Sequence, residues 1–142
     1  MICSDKTGTL TTGEARLTAC RVESDVPADE LLRRAAALEQ GSEHPLARAV
    51  VDAARARKLL LPPASHVRTI PGQGVTGCVA GRNTTIGHAQ LLQDAGMTIS
   101  PRLAGLAHQA EVRGCTVAYV GWLDRVHGIL MFADALRSDA AA

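Results

Sequence analysis

The sequence is short of aromatic side chains: Tyr119, Trp122 and Phe132 are the only ones in 142 residues. There is no stacking platform for single-stranded nucleic acid, and the core has to be built from Ala, Val, Leu and Ile. A strong charge of either sign is also missing. Formal net charge is +1, with Lys and Arg scattered along the chain, so no nucleic-acid partner is expected. The cysteines, Cys3, Cys20, Cys78 and Cys115, form no CxxC pair. That spacing gives no metal knuckle and speaks against a disulfide framework in a chain long enough to bury its own core. Reduced thiols in a cytosolic setting are expected. No basic start followed by an apolar run marks a signal peptide. The longest apolar stretches, such as Gly128-Ile129-Leu130-Met131-Phe132-Ala133, are too short to span a bilayer.

What the chain does have is a series of short elements separated by glycine and proline. Ala15 to Glu23 alternates as a half-buried strand does. Pro27-Ala28-Asp29-Glu30 opens a helix with Leu31, Leu32, Ala35, Ala36 and Leu38 on its apolar side, ending near Gln40-Gly41. Pro45 starts a second helix, Leu46 to about Arg57, so Gly41-Ser42-Glu43-His44 is the joint of a helical hairpin. Leu59-Leu60-Leu61-Pro62-Pro63 breaks it. Strands are predicted at His66 to Ile70, Val75 to Ala80 and Asn83 to Ile86, with turns at Pro71-Gly72-Gln73-Gly74 and Gly81-Arg82. Helices follow at Ala89 to Asp94 and Pro101 to Arg113, then strands at Thr116 to Val120 and Val126 to Phe132, joined by a turn through Gly121 to Arg125. The sum is an α+β fold: a mostly antiparallel sheet of roughly six strands flanked by helical hairpins.

Two stretches carry chemistry. The first is Asp5-Lys6-Thr7-Gly8-Thr9-Leu10-Thr11, after the apolar start Met1-Ile2-Cys3. A strand ending there would deliver a carboxylate to the sheet edge where ligands bind in open α/β sheets. Gly8 permits a tight turn, and Thr7 and Thr9 offer hydroxyls and amides to phosphate oxygens. A carboxylate can attack a phosphoryl group if a cation, Lys6 or a metal, offsets the repulsion. The plain alternative for Asp-X-Thr-Gly is a capped turn. The full heptapeptide DKTGTLT resembles the phosphorylation motif of P-type ATPases, the membrane ion pumps that pass through an aspartyl-phosphate. The resemblance implies that Asp5 is phosphorylated and that Asp5 and Thr7 hold Mg2+ in the whole pump. Related haloacid-dehalogenase-type phosphatases carry an Asp two residues after the nucleophile as acid and base. This chain has Thr7 there, so an acyl-phosphate should hydrolyse slowly.

The second is Glu39-Gln40-Gly41-Ser42-Glu43-His44-Pro45-Leu46-Ala47. Pro45 sets His44 at or just before the helix N-cap, exposed, where an imidazole face can stack on a purine. Taken alone, such a histidine is more often a capping or surface residue. SEHPLA, Ser42 to Ala47, resembles the nucleotide-binding-domain signature of heavy-metal-transporting P-type ATPases. It implies that His44 contacts the adenine side of ATP and that Glu39 assists; Glu43 belongs to the motif in a structural role. In the same family a GxG turn lines the ATP pocket, which carries over to Gly72 and Gly74. The Gly-Asn that follows the next strand is here Gly87-His88, so His88 would have to replace an amide. The other histidines, His66, His108 and His127, have no ligand spacing and read as surface or satisfied core residues.

The resemblance covers nearly the whole chain and implies three parts: residues 1–13, a phosphorylation-domain stub with DKTGTLT; 14–132, the nucleotide-binding domain; and 133–142, a truncated return into the phosphorylation domain. It implies ATP and Mg2+ as cofactors and ATP or ADP as ligands. The implied partners are the remaining phosphorylation, actuator and transmembrane domains of the same pump, with the heavy metal bound elsewhere. The expectation is therefore a cytoplasmic domain of an integral membrane protein, delivering the ATP γ-phosphate to Asp5. The alternatives are a fragment of a haloacid-dehalogenase-type phosphatase and a non-catalytic interaction or metal-sensing domain.

Overall fold

The computed structural model describes residues 15–42 and 44–134. Their elements run β1 (Ala15–Val22), α1 (Ala28–Glu39), α2 (Pro45–Ala56), β2 (Ala64–Ile70), β3 (Gly74–Val79), β4 (Arg82–Gly87), α3 (Ala89–Asp94), α4 (Pro101–Val112), β5 (Thr116–Trp122) and β6 (Arg125–Asp134). The strands form one six-stranded sheet in the order β1-β6-β5-β4-β3-β2. Every neighbouring pair is antiparallel. Tight hairpins account for three of those pairings, β4 and β5 pair across the α3–α4 connection, and β1 joins the far edge by lying against the last strand.

Both faces of the sheet are covered. On one, Leu31, Leu32, Ala35, Val50 and Ala54 of the α1–α2 hairpin close over Val79, Val120, Leu130 and Phe132. On the other, Leu92 of α3 and Leu103, Ala107 and Ala110 of α4 pack on Val117 and Ile129. Along β5, Val117 and Tyr119 serve one core while Ala118, Val120 and Trp122 serve the other. This is the period-2 consequence of a strand buried on both sides. The apolar stripe expected on α1 is buried as read, with Leu31, Leu32, Ala35 and Ala36 at 0% exposure. Each such leucine is worth about 1.5–3 kcal/mol of burial, which is how a core almost free of aromatics holds together.

Three local expectations are corrected. Gly121 does not open the last turn: β5 continues to Trp122, β6 begins at Arg125, and only Leu123 and Asp124 intervene. Gly121 instead sits at an irregularity in the β5–β6 register, where a Cβ would come 2.7 Å from both Arg125 O and Met97 Sδ. The turn takes its positive φ, +60°, at Leu123. Helix α1 is not closed by a left-handed glycine; its cap is Gln40 in right-handed geometry, with Ser42 N donating to Glu39 O at 2.9 Å. His66 and His108 are exposed, but His127 is a buried histidine whose Nδ1 meets no partner among the described residues. Its ring lies flat on Trp122, with centroids 3.8 Å apart, and Arg34 lies over the indole at 4.8 Å. Burial first, then the Arg125 charge, lowers the His127 pKa.

Candidate functional site at the end of the sheet

The antiparallel register brings Ile70, Gly74, Gly87 and the start of β5 to one end of the sheet. Phe132 pairs with Thr116 there, and Ala15 pairs with Asp134. The end of α1 and the start of α2 cover this same end and leave a cleft of about 270 Å³. Its lining includes Glu39, Ser42, His44, Gly72, Gly74, Gly87 and His88, with Val75, Ile86, Val117 and Phe132 as the apolar wall. Residues as far apart in sequence as Glu39 and Phe132 therefore share one concave surface.

Each polar member is held by a local device. Pro45 supplies a pre-set φ at the first turn of α2, and His44 is the N-cap in extended geometry. The His44 Nδ1 accepts from Leu46 N at 3.1 Å, and its own N–H donates to Ser42 Oγ at 3.2 Å. An accepting Nδ1 places the ring proton of the neutral imidazole on Nε2. His44 thus presents an N–H donor and a ring face from a fixed position. His88 caps α3 without using its side chain, while its backbone N–H donates to Gln73 O at 2.9 Å. Its exposed imidazole is free for a ligand in the cleft.

Glu39 is the last residue of α1 and is 9% exposed. It falls on the buried stripe of the helix, seven residues after Leu32 and four after Ala35. Among the described residues no side chain or amide donates to its carboxylate, and burial pushes its pKa from 4.5 up to about 7. A charged group there is poorly compensated, so the site favours a neutral carboxyl or a donor brought by a ligand.

The glycines have a reason of their own. Ile70 O accepts from Gln73 N at 2.9 Å, closing a turn with Pro71 and Gly72 at its centre and Gly72 at φ +74°. That is the type II pattern, which wants proline then glycine. Gly74 and Gly87 face each other across β3–β4. A Cβ on Gly74 would lie 2.1 Å from Ile86 O, and one on Gly87 would lie 2.2 Å from Gln73 O. These two residues are required by the chain's own backbone, whatever approaches them from the cleft.

Thr69, Gln73, Thr116 and Phe132 also line the cleft and were not singled out from the sequence. Gln73 lies inside the GxG turn and could have been included. Thr116 and Phe132 come together only through the β5–β6 register. Glu43 and the motif Asp5, Lys6, Thr7, Gly8 and Thr9 lie outside the described residues, as does the magnesium site assigned to Asp5 and Thr7. Among the described residues no helix is long and apolar enough to cross a membrane.

Over residues 1–142 the chain matches the family described as haloacid dehalogenase-like hydrolase. A probable copper-exporting P-type ATPase V of Mycobacterium tuberculosis is 39% identical over 137 residues, covering 96% of this chain and 18% of that protein. The chain thus spans less than a fifth of the length of this relative. Among solved structures, a zinc-transporting PIB-type ATPase in the E2.Pi state superposes with a TM-score of 0.80 at 40% identity, over 96% of this chain and 22% of that one. The N-domain of HMA6, a copper-transporting P-type ATPase, gives a TM-score of 0.73 at 27% identity, over 84% of this chain and 99% of that domain. The chain belongs to the haloacid dehalogenase-like hydrolase family, and the relatives and solved structures it is similar to are named as heavy-metal P-type ATPases.

Proposed function

We propose that the cleft is an adenine-nucleotide site, and that in the whole pump the bound ATP gives its γ-phosphoryl group to Asp5. The observation that carries this reading is the convergence of Glu39, Ser42, His44, Gly72, Gly74, Gly87 and His88 on one cleft. At about 270 Å³ the cleft lies near the small end of ligand pockets, roughly 300–1,000 Å³. It suits a base and sugar, with the phosphates directed outward. His44 offers its ring face and Nε2–H to the purine, Glu39 faces the exocyclic amine, and the imidazole of His88 stands where the family's amide would.

The position of the cleft supports the transfer step. Ala15 and Asp134 are paired neighbours at the cleft's end of the sheet. The segment carrying Asp5 joins the described chain at Ala15, at the cleft's end of the sheet. In the transfer, an Asp5 carboxylate oxygen forms the new bond to the γ-phosphorus, the β–γ bridging P–O bond breaks, and ADP leaves. Magnesium held by Asp5 and Thr7 would offset the repulsion between carboxylate and phosphate. Transport of a heavy metal, and the partnership with actuator and membrane domains, belong to this proposal.

Calorimetric titration of ATP into the 142-residue chain tests it, beside His44→Ala and Glu39→Ala. Saturable binding weakened by both substitutions is expected. Full-strength binding in both variants would move the nucleotide out of this cleft. Hydrolysis of p-nitrophenyl phosphate by the chain would favour the phosphatase reading instead.

A further inference from the structure

Resting on the nucleotide reading of the cleft, we infer that Glu39 meets the adenine ring as a neutral carboxylic acid, so that ATP binding takes up one proton at this residue. The geometry is that of a carboxyl without compensation. Glu39 sits on the buried stripe of α1 and shares the cleft with Val75, Ile86, Val117 and Phe132. No Arg or Lys lines the cleft among the described residues. Among the described residues the titratable groups that face it are His44 from the N-cap of α2 and His88 from the N-cap of α3; the strands contribute threonines, glycines and apolar side chains. His44 directs its Nδ1 to Leu46 N, so that atom is already engaged.

The chemistry of the base then decides the protonation state. The pairing edge of adenine offers an N–H donor on N6 beside an acceptor at N1. A neutral carboxylic acid offers the complement, a carbonyl acceptor beside an O–H donor. An ionised carboxylate would accept from N6 but set a second oxygen against the N1 lone pair. A bound purine would also exclude water from a group that burial alone already carries to about 7. Both effects favour the proton. It comes from solvent, and it leaves with the nucleotide.

Glutamine separates this idea from a plain carboxylate contact, because its amide carries the same acceptor–donor pair without titrating. ATP is titrated calorimetrically into the 142-residue chain and its Glu39→Gln and Glu39→Ala variants at pH 6.5, 7.5 and 8.5, in two buffers of different ionisation enthalpy. Relative to Glu39→Gln, the wild type should lose roughly twentyfold in affinity from pH 6.5 to 8.5 and take up close to one proton at the upper end. Referring each value to Glu39→Gln cancels protonation changes on the nucleotide and elsewhere in the chain. At pH 6.5 Glu39→Gln should bind within about threefold of wild type, whereas Glu39→Ala should be far weaker. Saturable ATP binding with parallel pH profiles, or a Glu39→Gln variant as weak as Glu39→Ala, would overturn the inference while leaving the nucleotide site in place. A folded wild type that binds no ATP would overturn both.

Discussion

Glu39 shows how much one residue in a ligand site can cost the empty protein. Its carboxyl titrates at its ordinary 4.5 in the unfolded chain and at about 7 in the fold. Between those values the native state binds more protons than the unfolded one. The Glu39 contribution is therefore fully present below pH 4.5 and is lost as pH rises through 7. By linkage the loss is on the order of 3 kcal/mol. Urea unfolding of the nucleotide-free chain should show it: stability declines from pH 4.5 to 7 in the wild type, and Glu39→Gln removes that part of the decline. Equal slopes in both proteins would show that Glu39 titrates normally. His44 divides its work differently, since one imidazole both caps α2 and faces the cleft. His44→Ala should lose about 1 kcal/mol of stability with the cap. His44→Asn keeps a capping oxygen and should restore that stability without restoring nucleotide affinity. Restored affinity in His44→Asn would reduce the imidazole to a cap.

At the scale of elements, the β2–β3 hairpin makes the two glycines of its turn unequal. Gly72 needs only its positive φ, and nothing lies within 4 Å of where a Cβ would stand. Gly72→Ala should cost about 1 kcal/mol of backbone strain. Gly74→Ala drives a methyl group onto Ile86 O, 2.1 Å away, and should cost more than twice as much or separate the strands. Thermal unfolding of the two variants checks the order, and a Gly74→Ala variant no less stable than Gly72→Ala would contradict it. This difference was not legible in the sequence. Pro71-Gly72-Gln73-Gly74 reads as a turn, but the need for Gly74 arises from its facing Gly87, a matter of cross-strand register. The element order was legible, because caps such as Pro45 and Pro101 and the periodic apolar positions act locally. Gly121 misled for the opposite reason: it resembles a turn residue, yet it serves a close approach inside β5. His127 also needed the fold, which stacks it on Trp122 and leaves Nδ1 without a partner among the described residues. Its lowered pKa means that the unfolded chain takes up a proton first as pH falls below 6.5. Stability from this residue is thus present above 6.5 and declines as pH falls toward the folded value. His127→Phe keeps a flat ring on Trp122 and removes the unpaired nitrogen. It should be more stable by about 1 kcal/mol near neutral pH, with a wider margin in acid. A less stable variant at pH 5.5 would mean that the nitrogen is satisfied in solution.

On the scale of the whole molecule, binding and chemistry have separate structural requirements. The cleft is assembled from residues between Glu39 and Phe132, and both helical layers and all six strands lie within the described span. Ala15 and Asp134, where the chain enters and leaves this span, are paired on adjacent strands, so all six strands of the sheet are in place within residues 15–134. A chain cut back to residues 15–134 should therefore bind ATP within about twofold of the 142-residue chain, well inside the tenfold that corresponds to 1.4 kcal/mol. Phosphoryl transfer, as proposed, asks for more: an attacking carboxylate and a cation to offset its charge, and about four-fifths of a relative such as the copper-exporting ATPase lies beyond the span matched by this chain. With Thr7 at the position where related phosphatases have an Asp, any hydrolysis that follows is expected to be slow. The 142-residue chain is expected to bind ATP with no sustained release of phosphate, and Asp5→Asn should leave its affinity unchanged. A magnesium-dependent ATPase rate in the purified chain, abolished by Asp5→Asn, would show that these residues suffice for catalysis. The division between carrier and acceptor would then have to be redrawn within this chain.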